Sequence, residues 1–480
     1  RLFFFIFFGN VDSMVMRYTA FKKVRNDDPY VPGGRAGHRP ERAVIQYCNL
    51  VKQVYKDVPI VIGGIEASMR RMVHYDFWSN KLRRSILEDS RADVLVHGMG
   101  ELPVMEVARR LSAGEALDGI PGTVTATRNP PDDAFMLPAE EECMSSHDSL
   151  LAFYREFYRR QHAQVLVQPT GGRFMLHVPS PVLHEELLDD LYRLPFTRKP
   201  HPSYDEEIPA YNMIRGSVTS HRGCVSGCSF CSLGLHQGKR IVSRSEGSIL
   251  EEVAETGSDP SFSGHITDIG GPSANMYGTW CAGKEECARE SCLYPSMCNN
   301  LRPAGKRWID LLDDAAGVDS ISHVTVGSGI RYDLFMVEKD SKILLQRLVH
   351  DHVGGQLKMA PEHTSGNVLD AMRKKPLADL QLFVKEFFAA TGRTGKKFYL
   401  IPYLMSCHPG SGMEEMREMK NRVKRIFRFV PEQVQAFIPL PMTLSSIQYY
   451  TGSDPLTGKK IFVERDMKKR VKQHGIFFDK

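Results

Sequence analysis

At 480 residues the chain is too long for one ordinary core, so two or more domains are expected, each large enough to bury its own apolar interior. A composition of 42% hydrophobic and 25% charged residues is that of a soluble globular protein and excludes a fibrous or wholly disordered chain. Lys and Arg exceed Asp and Glu by five, a mild basic balance that selects no partner by itself.

The chain opens at Arg1, and its first apolar run, Leu2 to Phe8, is followed by the polar Gly9, Asn10 and Asp12. This reads as a buried strand entered midway, and the chain as an N-terminally truncated fragment. The run is far below the roughly 20 residues needed to span a bilayer, and no small-residue cleavage site follows it. No membrane partner and a cytoplasmic location are therefore expected. Val58 to Ile62 ahead of Gly63-Gly64, and Ala92 to Val96 ahead of Gly98, read as further strands. Between the first two strands, Arg42 to Lys56 places Val44, Cys48, Val51 and Tyr55 on one helical face. Such alternation predicts an open, largely parallel α/β sheet over residues 1–112, whose glycine-rich strand ends are where folds of this kind bind ligands. Residues 113–209 are less regular, with turn pairs Asn129-Pro130 and Gly171-Gly172 and a helix over Ser149 to Gln161, and read as a connecting region. Pro200, Pro202 and Pro209 mark its end.

Beyond that boundary, strands are predicted at Met213 to Ser220, His265 to Ile269, Ser322 to Val326, Gly355 to Ala360, Lys397 to Leu404 and Val434 to Ile438. Helical patterns at Ser248 to Glu255, Trp308 to Ala315, Lys342 to His350, Leu377 to Ala390 and Glu414 to Arg428 lie between them. Six strands joined by five helices predict a parallel (β/α) barrel, or a partial one, over residues 210–445, with its chemistry at the carboxyl ends of the strands. Residues 446–480 form a C-terminal extension.

Seven of the ten cysteines fall between Cys224 and Cys298, which favours metal binding over cross-linking. Cys48, Cys143 and Cys407 stand alone and read as small buried hydrophobes. Cys224, Cys228 and Cys231 sit on a loop carrying Gly223, Gly227 and Gly234, at the end of the first strand of the series. The glycines let the backbone fold tightly around a compact inorganic core. A 4Fe-4S cluster is ordinarily held by four thiolates, so three leave one iron open, as S-adenosylmethionine requires to chelate it. The competing readings are unconnected structural cysteines and a zinc knuckle completed by a fourth His or Cys such as His221 or His236, which the C-x₃-C-x₂-C spacing fits less well. Cys281, Cys287, Cys292 and Cys298, an insertion spaced C-x₅-C-x₄-C-x₅-C, are a candidate auxiliary metal group: a second iron-sulfur cluster, a tetrahedral zinc site or unligated structure.

The run from Ser220 through Cys231 to Gly238 resembles the YgiQ-type family of radical S-adenosylmethionine proteins. So do Val61-Ile62-Gly63-Gly64-Ile65-Glu66-Ala67-Ser68, Gly327-Ser328-Gly329-Ile330-Arg331-Tyr332-Asp333 and Gly355 through His363, and the likeness extends over nearly the whole chain. The resemblance implies a 4Fe-4S cluster, S-adenosylmethionine as cofactor and reductive cleavage that starts radical chemistry on an unknown substrate. It also implies an electron donor such as flavodoxin or ferredoxin. Phe230 is the aromatic residue of the Cys-x₃-Cys-x-aromatic-Cys hallmark and a cofactor-binding candidate. Gly270 and Gly271 match the superfamily's Gly-Gly-Glu stretch, with Pro272 in place of the glutamate, so only the backbone role carries over.

Ser328 is suited by position to the ribose hydroxyls, and Arg331 or Lys358 to the cofactor carboxylate. Glu362 and His363 are candidates for handling substrate protons, against a structural Lys358–Glu362 salt bridge. His408 is suited either to facing substrate or to capping. The amino-terminal sheet resembles the cobalamin-binding domain of many radical enzymes, but the Asp-x-His-x-x-Gly ligand motif is absent, so the fold without cobalamin is expected. The basic run Lys420 to Arg428 reads as a helix with a solvated face. The rival reading, from another class, is a non-enzymatic iron-sulfur or zinc protein that binds nucleic acid through its basic surface.

Overall fold

The computed structural model describes residues 1–9, 12–283, 287–375 and 377–478. Its first half is built on one seven-stranded sheet: β1 (Phe4–Phe7), β2 (Ile60–Gly63), β3 (Val94–Val96), β4 (Thr123–Thr127), β5 (Phe135–Met136), β6 (Leu166–Thr170) and β7 (Arg173–His177), in the order β1-β2-β3-β4-β7-β6-β5. β1, β2 and β3 are parallel, as predicted. Ile60, Val61 and Ile62 are fully buried, which is why β2 reads as an unbroken apolar run rather than an alternating one. Helix Ala43–Val54 closes one face by burying Val44 and Cys48.

The expectation for residues 113–209 is corrected. That stretch supplies four of the seven strands, and β4, β7 and β6 pair antiparallel, so the sheet is mixed rather than largely parallel. Thr123, Thr125, Gln168 and Thr170 are buried inside these short strands, and Pro169 lies within β6; polar residues and a proline mask the apolar pattern. Helix His147–Arg160 covers the extension with Leu150, Phe153, Tyr154 and Phe157.

In the second half, the parallel strands are β8 (Ser217–Thr219), β9 (His265–Ile266), β10 (Asp268–Gly270), β11 (His323–Val324), β12 (Gln356–Glu362), β13 (Tyr399–Ser406) and β14 (Gln435–Ala436), beside two short antiparallel pairs, His221–Arg222 with Val242–Ser243 and Trp280–Cys281 with Leu301–Arg302. β8 pairs with β10, β9 with β11, Ile330 bridges Met359, and β12-β13-β14 follow, every pairing parallel and in chain order. β9 and β10 are two pieces of the one strand predicted over His265 to Ile269. Among the described residues no strand pairing joins β14 back to β8. All five predicted helices are present, as Glu246–Ser258, Gly305–Ala316, Ser341–Asp351, Ala378–Thr394 and Met413–Phe427. The predicted start of the first strand is instead helix Pro209–Ile214, with proline in its first turn where a missing N–H is tolerated. Trp308, Leu345, Leu348 and Phe383 are among the helix residues buried against the outside of the strands. Along β12, Leu357, Met359 and Pro361 face that core, while Lys358, Ala360 and Glu362 lie half-buried on the opposite face.

The chain ends in helices Leu444–Thr451 and Met467–Gly475. Leu235, Phe437, Ile447 and Tyr449 join the core of the first sheet, so the two halves share apolar packing. No helix among the described residues is long and apolar enough to cross a membrane.

Candidate functional site

The loop after β8 is shaped by two glycines. Gly223 has φ +90°, and a Cβ there would stand 1.7 Å from the Arg240 carbonyl oxygen; Gly227 has φ +61°, and its Cβ would stand 2.2 Å from that of Glu290. No side chain fits either position. Gly234, expected to serve the same purpose, lies in the short helix Leu233–His236 with open space beside it. Ser229 anchors the loop from below: its N–H donates to the Met372 carbonyl at 3.1 Å, its hydroxyl to that of Ala371 at 2.7 Å, and its own carbonyl accepts from Ser445 N at 2.9 Å.

This folding brings Cys224, Cys228 and Cys231 around one cavity of about 210 Å³ at the carboxyl ends of the strands. None is in a disulfide. Burial pushes the Cys224 and Cys231 thiols up. Among the described residues no three His, Cys, Asp or Glu side chains converge on a single point as ligands of one metal ion do.

Arg331, Phe230 and Glu362 line the same cavity. Arg331 is 8% exposed; its Nη1 donates to Cys228 Sγ at 3.6 Å, and its fork grips the buried Asp333 carboxylate, with Nε 2.9 Å from Oδ1. Burial alone would raise the Asp333 carboxyl, but the Arg331 charge and hydrogen bonds outweigh it and hold it below the ordinary value. Glu362 ends β12 with φ +67°, a left-handed conformation uncommon for a residue with a side chain. Burial pushes its carboxyl up, against the pull of Lys374 at 3.8 Å and of Arg331.

The other candidates lie elsewhere. Gly270 and Gly271 are packed under Asp268 and the His221 ring, and it is Pro272 and Ser273 that reach the cavity. Ser328 is bound to Asp268, its N–H 2.9 Å from Oδ1 and its hydroxyl on Oδ2. Lys358 lines a separate cavity of about 390 Å³ with Thr325, Gln356 and Tyr399, and no Lys358–Glu362 salt bridge forms among the described residues, because Lys374 has taken that carboxylate. His363 is fully buried outside the cavity, accepting from Ser365 N at 3.0 Å, and burial pushes its imidazole down to about 3. His408 pairs with Ser445 Oγ at 2.7 Å and packs edge-on against Phe230, a supporting place behind the loop.

Sequence patterns gave no sign of Tyr158, Gln161 and His162, which the end of helix His147–Arg160 and the turn after it carry into the cavity from the first half of the chain. Lys374 was likewise unmarked, one basic residue among Arg373, Lys374 and Lys375.

The insertion carrying the second cysteine group wraps the loop: Cys292 N donates to the Val225 carbonyl at 2.9 Å, and the Ser291 hydroxyl to that of Ser226. Burial, then the charges of Cys298, Cys281 and Cys287 in turn, push the Cys292 thiol up to about 11. Residues 284–286 of this insertion lie outside the described residues. A larger cavity of about 960 Å³, between helices Ala378–Thr394 and Met413–Phe427, opens by the start of β13, the end of a parallel strand that does not carry chemistry.

Residues 1–217 match the family model described as Radical SAM N-terminal. The chain is 47% identical to a UPF0313 protein of Geobacter sulfurreducens over 98% of this chain and 80% of that relative. It is 40% identical to a UPF0313 protein of Fusobacterium nucleatum, over 100% of this chain and 87% of the relative. Among solved structures, the radical S-adenosylmethionine methyltransferase TsrM from Kitasatospora setae superposes with a TM-score of 0.49 at 14% identity, over 92% of this chain and 64% of that one.

Proposed function

The chain belongs to the UPF0313 family, the YgiQ-type radical proteins, and from that premise we propose that it is a radical S-adenosylmethionine enzyme holding a 4Fe-4S cluster on Cys224, Cys228 and Cys231. The observation that carries the reading is the convergence of those three thiols, Phe230, Arg331 and Glu362 on one cavity. Three thiolates, a guanidinium and the backbone at Pro272 and Ser273 suit a cluster with one open iron and a cofactor bearing both an amino group and a carboxylate. When bound, the cluster supplies the electron, delivered by a donor such as flavodoxin or ferredoxin, that cleaves the cofactor's carbon–sulfur bond. Arg331, fixed by Asp333, holds the cofactor carboxylate, and Phe230 excludes water beside the thiolates. Glu362, whose carboxyl burial pushes up, handles a substrate proton. The six parallel strands act as a partial barrel whose open side is covered by Tyr158, Gln161 and His162 of the first half.

The second group, Cys281, Cys287, Cys292 and Cys298, is proposed as an auxiliary metal site, and iron, sulfide and zinc analysis of C292S against the parent chain measures it. Cobalamin stands outside the proposal, since the chain lacks the ligating-histidine motif; corrinoid absorbance in the same preparations checks this. The nucleic-acid rival is not favoured: helix Met413–Phe427 buries Met416, Met419, Val423 and Phe427, as an ordinary barrel helix with a solvated face does.

The test is anaerobic reconstitution with iron and sulfide, then dithionite and S-adenosylmethionine, with 5′-deoxyadenosine as readout. Product that disappears in Cys228→Ala is expected; zinc alone on the three-cysteine loop, with no product, contradicts the proposal.

A further inference from the structure

A second cavity, of about 300 Å³, adjoins the cluster cavity and shares Gln161, His162, Leu235 and Lys239 with it. It opens beyond the carboxyl ends of β2 and β3, where the chain supplies Arg71, His97 and Met99, the edge at which open α/β sheets take up ligands. The short helix after β2 is tied to the cluster loop here, the Ser68 hydroxyl meeting both Gly98 N at 3.1 Å and His236 Nδ1 at 3.0 Å.

Among its described lining residues the cavity carries Arg71, Arg222, Lys239 and Arg240 and no Asp or Glu. Arg222 is answered by Glu101 at 2.7 Å, and Lys239 by the carbonyls of Cys287 and Arg289. Arg71 is 1% exposed and has no carboxylate partner among the described residues. Its guanidinium donates to the Ser68 carbonyl and to Gln161 Oε1, each at 2.6 Å, and lies over the Phe157 ring at 5.1 Å. Nε is buried with no partner, so two of a guanidinium's five donors are used. Burial pushes this arginine down to about 10, the direction expected of an enclosed cation without a counter-charge. A fork of donors held open in that way matches the geometry of a carboxylate or phosphate. A neutral side chain would hold the Ser68 carbonyl without the cost of a buried charge.

We propose that this cavity binds the oxyanion group, carboxylate or phosphate, of a small molecule, with Arg71 as the countercharge, and that this molecule is the substrate on which the radical acts. A volume of about 300 Å³ suits a metabolite rather than a polymer. The shared wall sets such a ligand beside the thiolate cavity without placing it on the cluster. Oxyanion binding stands independently of the radical reading; the role as radical substrate rests on it.

The experiment follows thermal unfolding of the iron-loaded full chain in inorganic phosphate or malonate against chloride at equal ionic strength. One of the two anions is expected to raise the melting temperature, which assigns phosphate or carboxylate as the source. Arg71→Met, whose melting in chloride reads the cost of leaving the Ser68 carbonyl without its donor, is expected to weaken anion binding by about tenfold or more, with Arg71→Lys retaining part of it. No shift with either anion in the parent chain overturns the proposal, as does a shift that survives Arg71→Met unchanged. Anion binding requires neither reductant nor S-adenosylmethionine. Binding without any 5′-deoxyadenosine therefore contradicts the radical reading alone, and product without binding contradicts the oxyanion site alone.

Discussion

Gly227 and Arg331 show how single residues shape the thiolate cavity. A methyl group at position 227 must push the Glu290 carbonyl away or unwind the loop, so Gly227→Ala is expected to bind far less iron than the parent chain while keeping its far-ultraviolet circular dichroism. Arg331→Met strands the Asp333 carboxylate, 2% exposed, and is expected to lower stability by about 3–5 kcal/mol in denaturant titration as well as abolish product. Adding Asp333→Asn should restore most of that stability and none of the product, which separates Arg331's place beside Cys228 from its structural pair. At this scale the three cysteines, Phe230, Arg331 and Glu362 were legible because each follows a predicted strand end. Lys358 was misplaced by the same logic. Pleating puts it on the same face as Glu362 but nearer the strand start, and the carboxylate pairs with Lys374 from the following segment.

Among the elements, the regular second half was legible because helices on one side and strands on the other repeat at a countable interval. The strands of residues 123–177 were not, since their buried Thr and Gln side chains hide the pattern. Glu140, at the start of a helix laid against β6, is fully enclosed, and burial pushes its carboxyl up to about 7 despite Arg84 at 3.0 Å. An unfolded glutamate ionises near 4.5, so between pH 4.5 and 7 the folded state binds the extra proton and this group's contribution to stability falls as pH rises. Glu140→Gln should flatten that slope and gain on the order of 3 kcal/mol at pH 8 over the parent, by urea unfolding at pH 5 and 8. In helix Met467–Gly475, Arg470 is fully buried and donates to the Phe437 carbonyl at 2.6 Å, just past β14. Arg470→Met leaves that carbonyl unpaired and is expected to cost about 2–3 kcal/mol in the same assay.

Across the whole molecule, helix Leu444–Thr451 and the sheet before residue 178 both close on the three-cysteine loop. Ser445 reaches Ser229, and Leu235 packs into the first core. The chain is therefore expected to unfold in one calorimetric transition rather than two, although it folds around two sheets. No sequence pattern announced this, because contacts between Gln161 or Ser445 and the loop are made across long separations and leave no local period. The same closure covers the three-cysteine cavity with Tyr158, Gln161 and His162 from the opposite half of the chain, as the proposed reductive cleavage asks of a protein. The most direct measurement is 5′-deoxyadenosine formed by the iron-loaded full chain with dithionite and S-adenosylmethionine. Product that depends on each of Cys224, Cys228 and Cys231 is predicted; a fully iron-loaded chain that forms none, while a known radical enzyme does so under the same conditions, would contradict it.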